Sequence, residues 1–460
     1  MSAPGIIIAA PSSGSGKTMV TLALLRSFRN QGLDVTSFKV GPDYIDPVFH
    51  ARSSGRPCPN LDSWAMRIDT LSGLGDEVAR NTDLVIGEGV MGLFDGTLMG
   101  QGSTADLASL FDLPVILVVD AGRMGASAAA LVEGFIRHRE DVDVAGIVFN
   151  RVASEVHADL LRRACDHHFA QPVIGCLPTD PRLQLPERHL GLVQADEKPT
   201  LEDFLDGAAT LITEHLDLDQ FKRLARPFGL SLYGPPACPL RPLGQRIAVA
   251  KDLAFAFCYP AILEGWRQAG AEITTFSPLA DEAPDATATA VYLPGGYPEL
   301  HAEQLAANSN FLKGLNDAAE RSAFVYGECG GFMVLGNQLI DREGKSHQMT
   351  GLLPVTTSFK EPKRHLGYRN LKLKQASPLG PAGTNFRGHE FHYASIVEGD
   401  GEETQEALPL FDASDARGRP LGEVGMCNGY TFGSFMHLID RVGEPADTDF
   451  QPHHLHVVED

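Results

Sequence analysis

A glycine-rich loop near the start of the chain constrains the fold more than any other feature. Within residues 6–28 an apolar run, a turn rich in glycine and serine, and a segment with helical spacing follow one another. Such a loop, ending in Gly-Lys-Thr between a strand and a helix, is typical of phosphate-binding P-loops. We therefore predict that nucleotide is bound by Gly14, Gly16, Lys17 and Thr18. The lysine would reach the β- and γ-phosphates and the threonine hydroxyl would coordinate Mg²⁺.

The loop departs from the usual G-x-x-x-x-G-K-S/T pattern at its first position, where Pro11 replaces glycine. A surface turn without a ligand is the alternative interpretation. We favour the nucleotide site because strand, loop and helix signals occur in the order that a P-loop requires.

Further strand-like runs recur through the first 180 residues and alternate with helix-like segments. The runs, rich in Val and Ile, are residues 35–40, 84–87, 115–119, 146–149 and 173–176. Buried strands separated by helices predict an α/β fold with a parallel sheet covered on both faces. Ligands of such sheets gather at the carboxyl ends of the strands, so the residues that follow each run are the candidate site.

Charged and amide side chains follow these predicted strands. Lys39 lies in the run at residues 35–40, and Asp43 and Asp46 come after it. Glu88 follows the run at residues 84–87, and Asn150 follows the run at residues 146–149. Carboxylates beside a triphosphate suit Mg²⁺, which takes oxygen ligands. The lysine could neutralise charge that develops during phosphoryl transfer. Each residue alone could equally be a solvated loop residue, but several of them beside one P-loop favour a site.

A second chemical centre is predicted at residues 327–331, Gly-Glu-Cys-Gly-Gly, between an apolar run and a helix-like segment. Small residues around a cysteine permit the strained turn that exposes a nucleophile. We expect the helix N-terminus to lower the pKa of the Cys329 thiol, and the Gly330 N–H to face a developing oxyanion. Gly295 and Gly296 are candidates for the other oxyanion donor. A buried structural cysteine is the alternative, which the glycines disfavour.

A cysteine nucleophile needs a base, and on chemistry alone His389 and His392 compete with His437. A histidine far downstream of the cysteine resembles the order in class I glutamine amidotransferases. Those enzymes usually carry Glu two residues after the histidine, whereas Ile439 stands there in this chain and Asp440 follows it. What orients the histidine is therefore left open.

Length and proline content predict two domains and a linker. A chain of 460 residues exceeds one hydrophobic core, and residues 227–244 are too dense in proline for a helix or a central strand. We predict a domain that contains the P-loop at residues 1–226, a linker at residues 227–244, a domain that contains the cysteine elbow at residues 245–445, and a tail at residues 446–460.

Charge and cysteine usage exclude several classes of protein. A formal net charge of -21 argues against binding to nucleic acid or to an anionic membrane. The seven cysteines are scattered without a C-x-x-C pair, which indicates a reducing cytoplasm and no structural zinc. Neither a signal peptide nor an apolar run of membrane-spanning length is evident. We expect a cytoplasmic protein.

Three segments, residues 11–18, 39–47 and 88–96, resemble the family of cobyrinic acid and hydrogenobyrinic acid a,c-diamide synthases. The resemblance implies an N-terminal half similar to dethiobiotin synthetase and a C-terminal glutamine amidotransferase-like domain that lacks the third member of the triad. It implies ATP and Mg²⁺ as cofactors, L-glutamine as nitrogen donor and a corrinoid polycarboxylate as substrate in cobalamin biosynthesis. The implied activity is amidation of the a and c acetates through an acyl phosphate.

The resemblance also implies roles for individual residues. They are metal binding by Thr18, Asp46 and Glu88, substrate activation by Lys39, Asp43 and Asp46, contact with adenine by Asn150, and glutamine hydrolysis by Cys329 and His437. Arg188 and His189, in a polar loop past the last predicted strand, are candidates for gripping substrate carboxylates; a solvated loop charge explains them equally well.

Two other functions stay open at this point. Cobyric acid synthase, a related amidase acting on more side chains, is disfavoured by residues 39–47. A regulatory or partitioning ATPase with an inactive glutaminase-like domain is disfavoured by the intact elbow at Cys329. It is also disfavoured by Ser12, which stands where partition ATPases carry an extra lysine. The sequence leaves open whether the substrate carries cobalt, which acetate reacts first, how ammonia travels, and whether the protein is a homodimer.

Overall fold

The chain forms two compact units, one mostly before and one mostly after residue 238. The computed structural model describes residues 3–181, 187–188, 191–192, 201–228, 238–397 and 407–443. Unit 1 comprises residues 1–64, 69–237 and 257–261. Unit 2 comprises residues 65–68, 238–256 and 262–460. Each unit thus takes in a short segment from the other side of the boundary, which the sequence did not predict. The boundary itself falls inside the proline-rich segment.

Unit 1 is built on a parallel sheet, which confirms the predicted fold class. Its strands are β1 Pro4–Ala9, β2 Val35–Val40, β3 Asn60–Leu61, β4 Leu84–Glu88, β5 Val115–Asp120, β6 Val144–Val152, β7 Val173–Pro178, β8 Glu187–Arg188, β9 Gly191–Leu192 and β10 Arg226–Pro227. The order is β3-β2-β4-β1-β5-β6-β7, with every neighbouring pair parallel. The short β10 adds to β1 in the antiparallel sense, and β8 pairs with β9.

Helices cover this sheet. They are α1 Lys17–Asn30, α2 Asp46–Ser54, α3 Ile68–Val78, α4 Thr104–Leu110, α5 Ser127–Arg137, α6 Glu155–Asp166, α7 Leu201–His215 and α8 Leu218–Leu224. Ile6 and Ile8 of the central β1 are fully buried and pack in one core cluster with α1 and α7. Because α1 is buried by α7 as well as by the sheet, the P-loop that precedes α1 rests on a rigid support.

Unit 2 contains a ten-stranded mixed sheet and a small four-stranded sheet. The strands are β11 Arg246–Ala250, β12 Glu272–Phe276, β13 Ala290–Leu293, β14 Phe324–Glu328, β15 Gln338–Ile340, β16 Ser346–Gln348, β17 Thr356–Ser358, β18 His365–Leu373, β19 Asn385–His392, β20 Ser395–Val397, β21 Leu408–Asp415, β22 Pro420–Asn428, β23 Thr431–Ser434 and β24 Met436–Arg441. The helices are α9 Pro260–Gln268, α10 Ala302–Ala307, α11 Ser309–Glu320 and α12 Gly330–Leu335.

The large sheet changes from parallel to antiparallel along its width. Its order is β12-β11-β13-β14-β23-β22-β21-β18-β19-β24, parallel from β12 to β23 and antiparallel beyond. The turn from β14 into α12 carries Cys329, and β24 carries His437, paired in register with His389 of β19. None of the helices in the described ranges is both long enough and apolar enough to cross a bilayer.

Candidate active sites

The predicted P-loop joins β1 to α1, and its glycines are required by geometry. Gly14 and Gly16 have φ angles of 79° and 96°, in the left-handed region that favours glycine. A Cβ on Gly16 would also overlap the side-chain amide of Asn150. That amide donates a hydrogen bond of 3.0 Å to the Ser15 carbonyl. Asn150 is thus held against the loop. Its strand, β6, lies on the opposite side of β1 from β2 and β4, the strands that lead to Asp46 and Glu88.

The Lys17 side chain reaches across to the loop that follows β4. Its Nζ donates a hydrogen bond of 2.7 Å to the Met91 carbonyl. Burial lowers the pKa of this ammonium, and the opposing charge of Glu88 does not restore it to its ordinary value. Asp95 steadies the same loop by accepting a hydrogen bond of 2.9 Å from the Gly92 N–H.

Four side chains singled out in the sequence converge beside the P-loop. The Thr18 hydroxyl donates to Glu88 Oε1 at 2.6 Å and lies 3.3 Å from Asp46 Oδ2. The ammonium of Lys39 donates to Asp46 Oδ2 at 2.5 Å and to Glu88 Oε1 at 2.8 Å. Asp43 stands slightly apart, with Oδ2 3.8 Å from the same ammonium. The strand ends therefore bring these residues together as the parallel sheet predicted.

Burial makes the charges of this cluster strongly interdependent. Burial alone would lower the pKa of Lys39, but the charges of Asp46, Glu88 and Asp43 outweigh it and raise that pKa. Burial raises the pKa of Asp46 to about 7, with the charge of Asp43 adding to the shift. The hydroxyl of Thr18 and the carboxylates of Asp46 and Glu88 form an oxygen-only donor set. Such a set fits Mg²⁺, a hard cation that takes oxygen ligands, but the Lys39 ammonium donates to Asp46 Oδ2 and Glu88 Oε1 and would have to move away from them when the ion binds.

Two residues that the sequence analysis did not single out, His50 and Cys58, lie on the side of the Glu88 carboxylate oxygen that does not contact Lys39. His50 is fully buried, and its Nε2 lies 2.6 Å from Glu88 Oε2. Cys58 Sγ lies 3.5 Å from the other ring nitrogen of His50. The available signal was the spacing of four residues between Asp46 and His50, which places both on one face of α2.

The structure does not describe the side chains of Arg188 and His189, the residues predicted to bind substrate carboxylates. Arg188 belongs to the two-residue strand β8, but its side chain and the whole of His189 lie outside the described part of the chain.

In unit 2, Cys329 forms the strained elbow that the sequence predicted. Its φ of 47° and ψ of -101° are unusual for a residue with a side chain. The Cys329 N–H donates a hydrogen bond of 2.8 Å to the Ser434 carbonyl of β23. A Cβ on Gly331 would overlap the Leu293 carbonyl of β13, so the helix after the elbow packs too closely for any other residue. The surrounding strands therefore fix the position of the thiol.

The prediction that the helix N-terminus lowers the pKa of the Cys329 thiol is wrong. Burial raises this pKa well above its ordinary value, and the negative charge of Glu299 adds to the shift. The Gly330 N–H acts in the opposite direction but is outweighed. The helix α12 has six residues, so its dipole is small. The thiol is protonated at rest and needs a base to take its proton.

The imidazole of His437 and the side chain of Cys329 both border Gly295. A Cβ built on Gly295 would lie 3.3 Å from both the Cβ of Cys329 and Nε2 of His437. Burial lowers the pKa of His437 well below its ordinary value, and the neighbouring His389 and His392 lower it further. The Cys329 thiol itself donates to the Phe391 carbonyl at 3.8 Å, so it must turn towards the neutral imidazole before His437 can accept its proton.

The backbone beside the elbow fits the predicted oxyanion site. The Gly296 nitrogen lies 3.1 Å from the position that a Cβ on Gly330 would take. The two glycine segments thus approach each other next to Cys329, where backbone N–H groups can stabilise developing negative charge.

The two competing histidines are placed differently. The ring of His389 stacks on His437 with centroids 4.9 Å apart. His392 Nδ1 donates to the Ala394 carbonyl at 2.9 Å, and its Nε2 lies 2.9 Å from Glu390 Oε1. Both nitrogens of His392 therefore face other groups, and His437 is the histidine whose ring borders Gly295 together with Cys329.

His365, Glu390 and His392 place their potential ligand atoms within 4.8 Å of one another. However, the Arg369 guanidinium donates two hydrogen bonds to Glu390 Oε2, at 2.9 and 2.6 Å from Nε and Nη2. Because arginine already neutralises this carboxylate, the group fits an ion-pair network rather than a cation site.

Asp440, the acid nearest in sequence to the missing glutamate, is engaged elsewhere. Its carboxylate is fully buried and accepts hydrogen bonds from the Arg67 N–H at 2.9 Å and from Arg67 Nε at 3.1 Å. Arg67 lies in the short segment of residues 65–68 that belongs to unit 2.

Comparisons with known proteins identify the two domains that carry these candidate sites. Residues 6–193 match the CobQ/CobB/MinD/ParA nucleotide binding domain, and residues 246–442 match the CobB/CobQ-like glutamine amidotransferase domain. A nucleotide-binding domain joined to a glutamine amidotransferase domain defines a glutamine-hydrolysing amidoligase.

Relatives narrow this class to one family. The chain is 52% identical over 441 residues to the hydrogenobyrinate a,c-diamide synthase of Sinorhizobium sp, covering 95% of this chain and 99% of the relative. It is 53% identical to that of Rhizobium meliloti (strain 1021) over the same shares of both chains. The Brucella abortus synthase is 52% identical over 446 residues, covering 96% of this chain and 100% of the relative. The chain belongs to the hydrogenobyrinate a,c-diamide synthase family, as the three sequence segments indicated.

Proposed function

We propose that the protein uses ATP and glutamine to amidate the a and c acetate carboxylates of a corrinoid, hydrogenobyrinic or cobyrinic acid. The observation that carries this proposal is the presence of two candidate reactive centres in one chain. One is a lysine- and carboxylate-rich P-loop site, and the other is a cysteine elbow with an imidazole. Family membership supplies the substrate class, because the relatives are named for hydrogenobyrinate.

Glutamine hydrolysis is assigned to Cys329 and His437. The thiol proton moves to His437 Nε2 while Sγ bonds to the glutamine amide carbon, and the oxyanion is stabilised by N–H groups of Gly295, Gly296 and Gly330. The proton then passes from Nε2 to the leaving nitrogen, which departs as ammonia and leaves a thioester. Water hydrolyses the thioester, releasing glutamate and restoring the thiol. The raised thiol pKa is consistent with this sequence, because proton transfer accompanies attack.

Carboxylate activation is assigned to the P-loop site. The Gly14 and Gly16 backbone and Lys17 would bind the ATP phosphates, and Asn150 would contact adenine. Thr18, Asp46 and Glu88 would hold Mg²⁺, which supplies charge neutralisation on the triphosphate when bound.

Transfer to the substrate follows from the same cluster. Lys39, with Asp43 and Asp46 beside it, would stabilise charge as the γ-phosphoryl group moves to the substrate carboxylate. Ammonia then attacks the acyl phosphate and phosphate leaves, giving the amide. Arg188 and His189 are proposed to hold other carboxylates of the corrinoid.

Two variants test the assignment of glutamine hydrolysis to Cys329 and of carboxylate activation to the P-loop site. Cys329→Ala should lose glutamate release and glutamine-supported amidation yet keep amidation with high ammonium, whereas Cys427→Ala, a second buried cysteine of unit 2, should keep both. Lys17→Ala should lose amidation with either nitrogen source. Glutaminase activity that survives in Cys329→Ala, or synthesis that survives in Lys17→Ala, would refute the corresponding assignment.

The finer substrate choice needs a direct comparison. Parallel assays with metal-free and cobalt-bearing a,c-diacids would show which ring the protein accepts, and the first monoamide to accumulate would show which acetate reacts first. The cytoplasmic location is part of the same proposal, since it rests on the free cysteines. A homodimer stays a prediction that light scattering can test.

A further inference from the structure

A buried carboxylate lies on the opposite side of His437 from the thiol. Glu328, the last residue of β14, is 2% exposed. Its Oε2 lies 3.9 Å from His437 Nδ1. The other ring nitrogen, Nε2, lies beside Gly295 and Cys329. The imidazole therefore has Cys329 on the side of one nitrogen and a carboxylate on the side of the other, which is the order of groups in a catalytic triad.

The carboxylate is held in place by three strands. Glu328 Oε2 accepts a hydrogen bond of 2.9 Å from the Tyr292 hydroxyl of β13. Glu328 Oε1 accepts one of 3.2 Å from the Leu438 N–H of β24. Because Leu438 follows His437 directly, this second bond ties the carboxylate to the strand that carries the imidazole. Within the described residues, His437 is the histidine whose ring nitrogen lies within 4 Å of the Glu328 carboxylate, and the two would form an ion pair once the ring is protonated.

We propose that Glu328 is the positioning residue for His437, orienting its ring and stabilising its imidazolium during glutamine hydrolysis. It would fill the role of the glutamate that is replaced by Ile439, a role closed to Asp440 because Arg67 holds that carboxylate. This inference rests on the catalytic roles proposed above for Cys329 and His437.

The physical need for such a residue is clear from the surroundings of His437. When Nε2 accepts the thiol proton, a cation forms in a buried site that already disfavours it, with His389 stacked on the ring and His392 nearby. A carboxylate 3.9 Å from Nδ1 offsets this penalty by its charge, and it would fix the tautomer with the proton on Nδ1 when the two atoms close to hydrogen-bond distance during the reaction. Glu328 neither gains nor loses a proton in this step, because the thiol proton moves to Nε2 and then to the nitrogen that leaves as ammonia.

The ionisation of Glu328 gives this role a pH signature. Burial raises the pKa of Glu328 to about 7, although hydrogen bonds from Tyr292, the Leu438 N–H and Tyr326 oppose the shift. The carboxylate form that assists His437 thus becomes dominant as pH rises through neutrality. Glutamine-supported kcat/KM should rise over the same range, while ammonium-supported amidation need not follow it.

Glu328→Gln keeps the shape of the side chain but removes its charge. We expect glutamine-supported kcat to fall by about 10²-fold, the lower end for a well-supported proton transfer, and the rise near neutral pH to disappear. Ammonium-supported amidation by the same preparation should stay within about twofold, which reports an intact fold. A variant with wild-type glutamine kinetics and a wild-type pH profile would overturn the proposal.

A second variant shifts the pH signature instead of deleting it. Tyr292→Phe removes a hydrogen bond that favours the ionised carboxyl, so the rise in glutamine-supported kcat/KM should move to higher pH. An unshifted rise would contradict a titrating Glu328. Asp440→Asn makes the matched acid-to-amide change at the alternative acid. Its selective loss of glutamine use, with Glu328→Gln unaffected, would assign the role to Asp440 and overturn the proposal.

Cys329→Ala separates this inference from the proposed function. If glutaminase activity survives in Cys329→Ala, the catalytic assignment itself is wrong. If it is lost in Cys329→Ala but unchanged in Glu328→Gln, the assignment stands and the positioning role alone is refuted.

Discussion

The absence of a side chain at Gly295 should be essential for glutamine use. A Cβ at this position would overlap Cε1 of His437 and would come within 3.3 Å of both Nε2 of that ring and the Cβ of Cys329. Gly295→Ala therefore inserts one methyl group between the proposed nucleophile and its base. No positive φ is involved at Gly295, so the effect would come from space alone.

The size of the effect follows from how little the ring can move. His437 is 1% exposed and stacks on His389, so it can retreat only by shifting the β19–β24 pair. Overpacking of this kind costs about 1–3 kcal/mol of stability. A displacement of about 1 Å between reacting groups reduces the rate by about 10²-fold. We expect Gly295→Ala to lower glutamine-supported kcat/KM by about 10²-fold or more.

The assay compares two nitrogen sources in one preparation. Amidation with glutamine should fall, whereas amidation with high ammonium should be retained, because the P-loop site is unchanged. Gly134→Ala is the matched control: it lies in α5, and an added Cβ there meets nothing within 4 Å. That control should keep glutamine use and gain up to about 1 kcal/mol of stability.

Wild-type glutamine kinetics in Gly295→Ala would refute the assignment of this space to the thiol–imidazole contact. Equal loss with both nitrogen sources would also count against it, because that pattern indicates general misfolding rather than a local block.

Two further predictions concern buried charges. Lys39→Met should abolish amidation with either nitrogen source and lower the free energy of unfolding by about 3–5 kcal/mol, because it leaves the buried Glu88 carboxylate without this cation. Lys313→Met, at a side chain that is 73% exposed, is its control and should change stability by less than about 0.5 kcal/mol in urea unfolding. The raised pKa of Glu328, about 7 against an ordinary 4.5, means that the folded state binds more protons than the unfolded state between those values. Stability should therefore fall by about 3 kcal/mol as pH rises through that window. Urea unfolding at pH values on either side should show that Glu328→Gln lacks this fall, and an equal fall in the variant would contradict the assignment.

The strands of unit 1 were predictable because their signal is local. The run at residues 35–40 became β2 with the predicted bounds, since a buried parallel strand is a continuous stretch of the chain. The residues at the strand ends were also predictable, because parallel topology alone brings their carboxyl ends to one edge.

The residues that contact Glu88 and His437 were not predictable, because these contacts depend on packing between segments that are distant in the sequence. His50 reaches Glu88 only when α2 lies on the sheet, and Glu328 reaches His437 only through the folding of β14 and β24 into one unit. The error about the Cys329 thiol has the same origin. A helix N-terminus is visible in the sequence, whereas the extent of burial that outweighs it is not.

The short segment that carries Arg67 has a practical consequence for dissecting this protein. A truncation that begins at residue 238 would keep Asp440 but discard the guanidinium and N–H that hold it. Such a fragment would bury a carboxylate with no counter-charge from this arginine, three residues after His437. Weak glutaminase in an isolated C-terminal half would then reflect the lost arginine, and a fair comparison would change Asp440 to asparagine in the fragment.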